Sequence, residues 1–321
     1  MPGRSVEDYQ APLFFAWQLT NRCSARCLTC CEESGPDKAW ADELTREEAL
    51  DLARRIADAG IPYVAFGGGE PLGVPHCWEL FEIFTHAGIA LKLETDGSRI
   101  DDEAADRLAA LGVQCVQISV DGARAQTHER VRPGSSFVST VGAIERLVAR
   151  GRPPQFVFVP NRMNLNETVA AYELAANLGC EAFVTGPMMR IGRAAINWDR
   201  LGVSDEEWKK TAEALREHAR SMGEKTVLSI YPWDILTELE HRLENPQAML
   251  LVVPNGKVKL LNALPFAPAD LRHDSLEQAW RAYVNAWRAP SVREFITTCR
   301  ARPELLRHAN ETWRLDNGSY S

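Results

Sequence analysis

The 321-residue chain has no uninterrupted apolar stretch near the roughly 20 residues that a membrane-spanning helix needs. Its first ten residues, Met1 to Gln10, lack the apolar centre of a secretory signal, so a cytoplasmic protein without a membrane partner is expected. It has no excess of cations: 36 Lys and Arg against 44 Asp and Glu leave a formal charge of -8. That balance argues against non-specific binding to nucleic acid or to an anionic lipid surface. It leaves room for an acidic substrate in a local basic pocket. Repeats at solenoid periods and low-complexity tracts are absent as well. What remains is an ordinary globular composition, 45% hydrophobic and 25% charged, which can bury a sizeable core. The 8 cysteines are unevenly spread: four lie between Cys23 and Cys31, while Cys77, Cys115, Cys180 and Cys299 are scattered. Bunching within one short segment suits a metal better than a disulfide framework.

Apolar runs and helix signals alternate over the first 185 residues. Leu13 to Leu19, Tyr63 to Phe66, Leu91 to Glu94, Val113 to Val120, Gln155 to Val159 and Ala182 to Thr185 read as six strands. Between them lie helical segments, the first opened by a capping box of Thr45 and Glu48 and the third by Asp101 and Asp102. Such alternation predicts βαβ units around a parallel sheet. Six units are too few for the closed eight-unit barrel. The expected fold is therefore α/β, a partial (β/α)6 TIM-like barrel, with its site at the carboxyl ends of the strands. After Ser204 to Met222, an amphipathic helix, the pattern changes to short strands and two helices. The expected division is a barrel core over 1–222 and a small α+β C-terminal region over 223–321.

The segment Cys23-Ser24-Ala25-Arg26-Cys27-Leu28-Thr29-Cys30-Cys31 directly follows the first strand, with C-x3-C-x2-C spacing. Three thiolates on one loop can hold three corners of a cubane iron–sulfur cluster. The fourth iron then has no protein ligand and can bind a small molecule, as catalytic metal sites do. The alternative is a non-catalytic protein that holds zinc or a structural iron–sulfur cluster in the same loop. Structural zinc normally takes four ligands in paired C-x2-C form, and no second pair occurs downstream.

With these motifs in hand, the sequence resembles the radical S-adenosylmethionine (SAM) superfamily. Gly67-Gly68-Gly69-Glu70-Pro71 stands where the family has Gly-Gly-Glu-Pro, and Thr95-Asp96-Gly97 where it often has Thr-Asn-Gly. Ser119-Val120-Asp121-Gly122 resembles its Ser-x-Asp-Gly, and His128 to Phe137 its Arg-Gly-x-x-x-Phe stretch. Asn164 and Gly192-Arg193-Ala194 resemble later family positions. The nearest branch holds the mycofactocin and pyrroloquinoline quinone maturation enzymes and haem-biosynthesis relatives, whose C-terminal extensions are of the SPASM type.

The resemblance implies a [4Fe-4S] cluster on Cys23, Cys27 and Cys30, whose open iron chelates SAM. Reductive cleavage then yields a 5′-deoxyadenosyl radical that abstracts hydrogen from an organic substrate. It further implies that Gly67, Gly68 and Gly69 present bare carbonyls to the SAM ammonium, with Glu70 adding a charge-assisted bond. Thr95 joins the cofactor-binding set. Ser119 contacts the methionine or ribose, and Asp121 joins the cofactor-binding set. Arg132 is a candidate for the SAM carboxylate, with Arg130 one turn away, and Asn164 for the ribose or adenine.

Two departures stand out. Thr29 occupies a position that is usually aromatic. The C-terminal extension keeps a Pro-x-Gly turn at Pro254-Asn255-Gly256 but has no cysteine before Cys299. One cluster is therefore expected, with a degenerate extension that shapes the substrate pocket. Loss of auxiliary clusters favours redox-neutral chemistry on a small-molecule or short-peptide substrate, with a donor such as flavodoxin or ferredoxin supplying the electron. Cys299 is a candidate hydrogen donor. The remaining cysteines are expected to be packing residues.

Overall fold

A computed structural model of the chain describes residues 6–223, 225–316 and 319–320. The first five residues of the expected polar N-terminus, and 224, 317–318 and 321 of the C-terminal region, lie outside the described residues. Seven strands form a parallel run: β1 (Phe14–Thr20), β2 (Tyr63–Gly68), β3 (Ala90–Thr95), β4 (Cys115–Ser119), β5 (Gln155–Phe158), β6 (Ala182–Thr185) and β7 (Val227–Ile230). Each pairs with the next in sequence order. The helices between them are α1 (Arg46–Asp58), α2 (Cys77–His86), α3 (Asp102–Ala110), α4 (Ala125–Val131), α5 (Phe137–Ala149), α6 (Thr168–Asn177), α7 (Gly192–Ile196), α8 (Trp198–Leu201) and α9 (Asp205–Ser221). Local signals explain several starts: Thr45 and Glu48 form the expected capping box on α1, and Ser204 with Glu207 does the same for α9.

Alternation along the strands separates two faces. On β1, Phe15, Trp17 and Leu19 are buried against the helices, where Trp17 stacks on Phe66 and Phe66 meets Phe81 at 4.9 Å. The intervening positions face inward and are mixed, with Phe14 and Ala16 at the amino end of β1 and polar side chains at Gln18, Lys92, Glu94, Gln117 and Gln155. Gln117 donates to Gln155 at 2.8 Å, and Lys92 pairs with Glu94 at 2.7 Å. A closed barrel fills this space with packed aliphatic layers. Here it is a polar, half-open chamber.

Beyond α10 (Ile235–Glu244), strand β8 (Met249–Val252) pairs parallel with β1 on the side away from β2. It turns through Pro254-Asn255-Gly256 into β9 (Lys257–Lys259), then β10 (Ala269–Asp270). Gly256 supplies the positive φ of +83° that the turn requires. Helices α11 (Leu276–Ala286) and α12 (Pro290–Ala301) cover this end. Trp280 Nε1 donates to the Tyr9 carbonyl at 2.9 Å, so the last helices are stitched to the first residues.

Among the described residues ten strands share the main sheet, which runs on past position 222: β7 extends the parallel run and β8 to β10 continue it from the other edge, beside a separate two-stranded pair at Leu315–Asp316 and Ser319–Tyr320. Strand β2 also runs two residues into the glycines expected to end it. No helix among the described residues is long and apolar enough to cross a membrane.

Candidate functional site

Because β1 to β5 are parallel, the loops that follow them open at one end of the sheet. There the chain brings together nearly all the residues singled out from sequence. The cysteine loop leaves β1 at Thr20. Its first turn is pinned by the Glu43 carboxylate, which accepts from Thr20 Oγ1 and the Asn21 amide, both at 2.8 Å. Its middle is tied across the opening to the loop after α4, where Arg26 N donates to the Pro133 carbonyl at 2.7 Å and Leu28 N to that of Val131 at 2.9 Å.

Burial pushes the Cys23 thiol up to about 12 and that of Cys30 to about 11; Cys27 is raised for the same reason. Only a bound cation would draw three such thiols into thiolates together. A cubane places each thiolate on a different iron, and three thiols on one short loop fit that pattern. Structural zinc takes four ligands in paired form, and no second C-x2-C pair follows this loop in the sequence.

The glycines press on the start of the same loop. A Cβ on Gly69 would lie 2.1 Å from the Arg22 carbonyl oxygen, and Gly68 holds a φ of +99°. Gly69 N donates to the Thr20 carbonyl at 2.7 Å and Glu70 N to that of Arg22 at 2.9 Å. The motif therefore sets the position of the cysteine loop, and Gly67, Gly68 and Gly69 remain half-buried beside it.

Glu70 is fully enclosed. Its carboxylate accepts from Thr95 Oγ1 at 2.8 Å, from the Asp96 amide at 3.0 Å and from the Leu72 amide at 3.1 Å. Burial, and then the neighbouring Asp96, push it up to about 8. Glu70 and Thr95 thus satisfy each other and brace the loops after β2 and β3. Cys23 and Glu70 both line a cavity of about 460 Å³ on the outer flank.

Beyond Thr95, Asp96 accepts from Ser24 Oγ at 2.9 Å and from the Ser98 amide at 2.8 Å. Although burial opposes it, these bonds and the Arg132 charge hold Asp96 below the usual carboxylate range. Asp121, completely buried, accepts from Arg132 Nη1 at 3.0 Å and from the Val159 amide at 2.9 Å. Burial works against the Arg132 charge, but Cys27, Asp121 and Asp96 around it more than offset this. The two arginines differ in placement. Arg132 turns inward to Cys27 and Asp121, while exposed Arg130 donates to the Met163 carbonyl at 2.9 Å.

Asn164 is also completely buried, and its amide donates to the carbonyls of Asp121 and Val159 at 3.1 and 3.0 Å. Its geometry is that of a bracket behind Asp121. Ser119, at the end of β4, is half-buried, and its hydroxyl makes no hydrogen bond among the described residues.

Cys299 is the clear correction. It is enclosed in the main core on α12, with Val292, Phe295 and Ile296, and has no surface from which to reach a substrate. Cys77 and Cys180 pack as expected, but Cys115 faces the chamber, half-buried near Lys92. Sequence reasoning also passed over His128 as a side chain. Its Nδ1 accepts from the Asp121 amide at 3.2 Å, and its Nε2 meets Ser135 Oγ at 3.0 Å. It lay inside the motif stretch, but nothing in the spacing shows that it faces Asp121.

Comparison with known proteins identifies the family. The family model described as "Radical SAM superfamily" matches residues 17–184. The chain is 35% identical over 185 residues to an AdoMet-dependent heme synthase of Methanosarcina barkeri, covering 57% of this chain and 52% of that one. It is 33% identical over 212 residues to the mycofactocin maturase MftC of Mycolicibacterium smegmatis, covering 64% and 53%. The chain thus spans about half the length of these curated relatives. Among solved structures, Streptococcus suis SuiB bound to the precursor peptide SuiA superposes with a TM-score of 0.72 at 12% identity, over 87% of this chain and 67% of that one. Native anSMEcpe with bound AdoMet gives 0.65 at 16% identity, over 84% and 80%. At these identities the structures speak for the fold.

Proposed function

On the premise that the chain belongs to the radical SAM superfamily, whose members use a [4Fe-4S] cluster and SAM, we propose that Cys23, Cys27 and Cys30 hold that cluster. When bound, the cluster and SAM supply one-electron reductive cleavage and hydrogen abstraction from an organic substrate. The observation that supports the reading is the thiol trio at the carboxyl end of β1, with Cys27 buried and Cys23 and Cys30 half-buried, flanked by the Arg132–Asp121 pair.

The residues divide the remaining work. Arg132 presents a guanidinium that Asp121 orients, and it receives the SAM carboxylate as a charge-assisted bond. The half-buried glycine carbonyls take the ammonium, and Ser119 offers its free hydroxyl to the ribose. Asn164 and His128 hold Asp121 from behind, through its carbonyl and its amide. Glu70 and Thr95 act one layer back, keeping the glycines against the cysteine loop. The polar chamber lined by Gln18, Lys92, Glu94, Gln117 and Gln155 seats the substrate.

That substrate is a short peptide or a small molecule in cofactor or natural-product biosynthesis. The maturases among the relatives support this reading. After Cys180 this chain offers only the buried Cys299, so these residues supply ligands for one cluster, which favours redox-neutral chemistry. A one-electron carrier such as flavodoxin or ferredoxin reduces it.

Anaerobic reconstitution with iron and sulfide tests the assignment. A brown protein with about four irons per chain, which forms 5′-deoxyadenosine from SAM and dithionite, supports it. A colourless protein that leaves SAM intact refutes it.

A further inference from the structure

The cysteine loop is gripped from outside by two segments whose side chains take no part in the cofactor chemistry. The first is α7. Arg193 Nη1 donates to the Cys27 carbonyl at 2.7 Å, Nη2 to the Ser34 carbonyl at 2.5 Å, and the Arg193 amide to the Cys30 carbonyl at 2.8 Å. Just after it, Asn197 Nδ2 donates to the Leu28 carbonyl at 3.2 Å. Contact is so close that a Cβ on Gly192 would sit 2.1 Å from the Cys31 oxygen. The second segment is C-terminal. Asn310 Nδ2 donates to the Cys31 carbonyl at 2.8 Å and to the Glu33 carboxylate at 2.9 Å. Glu33 holds a φ of +55°, unlike any other described residue except glycines. Buried Lys259 donates to the Ala309 carbonyl, so β9 fixes the residue next to Asn310.

We infer that Arg193 and Asn310 are positioning residues for the cluster ligands: a two-pronged clamp that turns the loop's carbonyls outward and so keeps its thiols facing the cluster. This rests on the assignment of Cys23, Cys27 and Cys30 as those ligands. The chemistry suits the task. A guanidinium reaches two carbonyls at fixed angles and adds no group that competes for iron. A residue in a sparsely populated backbone region persists only where its surroundings over-determine it, and Asn310 bonds both Glu33 and the carbonyl two residues before it. The C-terminal region therefore supports the cluster itself, in addition to walling the chamber. Gly192-Arg193-Ala194 acquires a physical reason: glycine for close approach, arginine for the grip.

The test compares the parent protein with Arg193→Ala, Arg193→Lys and Asn310→Ala after anaerobic reconstitution. Readouts are circular dichroism, iron per chain, the electron paramagnetic resonance spectrum of the reduced cluster, and the rate of iron loss to a chelator. The expected result is an unchanged dichroism spectrum with iron loss faster by about tenfold or more for Arg193→Ala. Arg193→Lys, which can grip one carbonyl but not two, falls between. Asn310→Ala loads iron, loses it several-fold faster and broadens the resonance. If Arg193→Ala does not fold, Asn310→Ala, which removes only two bonds, decides alone. Variants that keep iron and spectrum like a loaded parent overturn the clamp and leave the cysteine assignment standing. A parent that takes up no iron overturns both.

Discussion

Arg132 places Nη1 3.0 Å from the Asp121 carboxylate, while its equally enclosed Nε has no partner. A buried pair is expensive to break from one side, because the survivor keeps its charge without compensation. Asp121→Ala, which also frees the Val159 amide, is expected to lower unfolding free energy by roughly 3–5 kcal/mol in urea titrations. Arg132→Lys keeps the charge but loses the fork. It should still load iron, yet lose most of the spectral change that SAM produces on the reduced cluster.

The cysteines separate by role. Cys23→Ala, Cys27→Ala and Cys30→Ala should each abolish iron uptake and SAM cleavage. Cys31→Ala should keep most of both, and Cys299→Ala should turn over like the parent. If Cys31→Ala loses the cluster while Cys30→Ala keeps it, the third ligand is Cys31 and the proposed register is wrong.

His128 makes stability depend on pH. Burial first, then the nearby Arg132, lower its pKa from the ordinary 6.5 to about 4. Between those values the unfolded chain binds a proton that the native protein does not, so stability rises with pH across this window. The contribution is fully present above about 6.5 and is lost as the pH falls toward 4. It is of the order of 3 kcal/mol. Urea midpoints of His128→Asn, measured between these limits, should show a flatter slope than the parent; an equal slope would locate the pH dependence elsewhere.

Gly69 and Gly60 form a matched pair. Gly60 needs a φ of +66° but has open space around its Cβ position, so Gly60→Ala should cost about 1–2 kcal/mol. Gly69 has an ordinary φ but no room beside Arg22. Gly69→Ala should cost more than Gly60→Ala and also impair iron loading, measured by urea unfolding and iron content on the same preparations.

Much of the barrel was legible in the sequence because local signals and burial pattern agreed there. Thr45 with Glu48 starts α1 as the capping box predicts, and the apolar run at Ala182 to Thr185 forms β6 with those limits. Helices α4 and α10 were not foreseen: α4 has no side-chain cap, and α10 follows Pro232 in a stretch that resembles a connection. The assignment of β7 outside the barrel failed because a four-residue strand does not encode which sheet edge it joins. At the candidate site, the proposed ligands Cys23, Cys27 and Cys30 come from spacing and resemblance, which leave Arg132 and Arg130 undivided. The grip of Arg193 on Cys27 spans 166 positions, and that of Asn310 on Cys31 spans 279. Both bonds end on backbone carbonyls, which every residue offers, so the sequence of the loop holds no sign of its distant partners.

The most direct test of the cluster assignment is Mössbauer spectroscopy of the anaerobically reconstituted protein, with and without SAM. The expected result is one [4Fe-4S] cluster in which a single iron changes its signature when SAM is added, as one vacant corner requires. A spectrum with no cluster, or one in which SAM alters no iron, would contradict it.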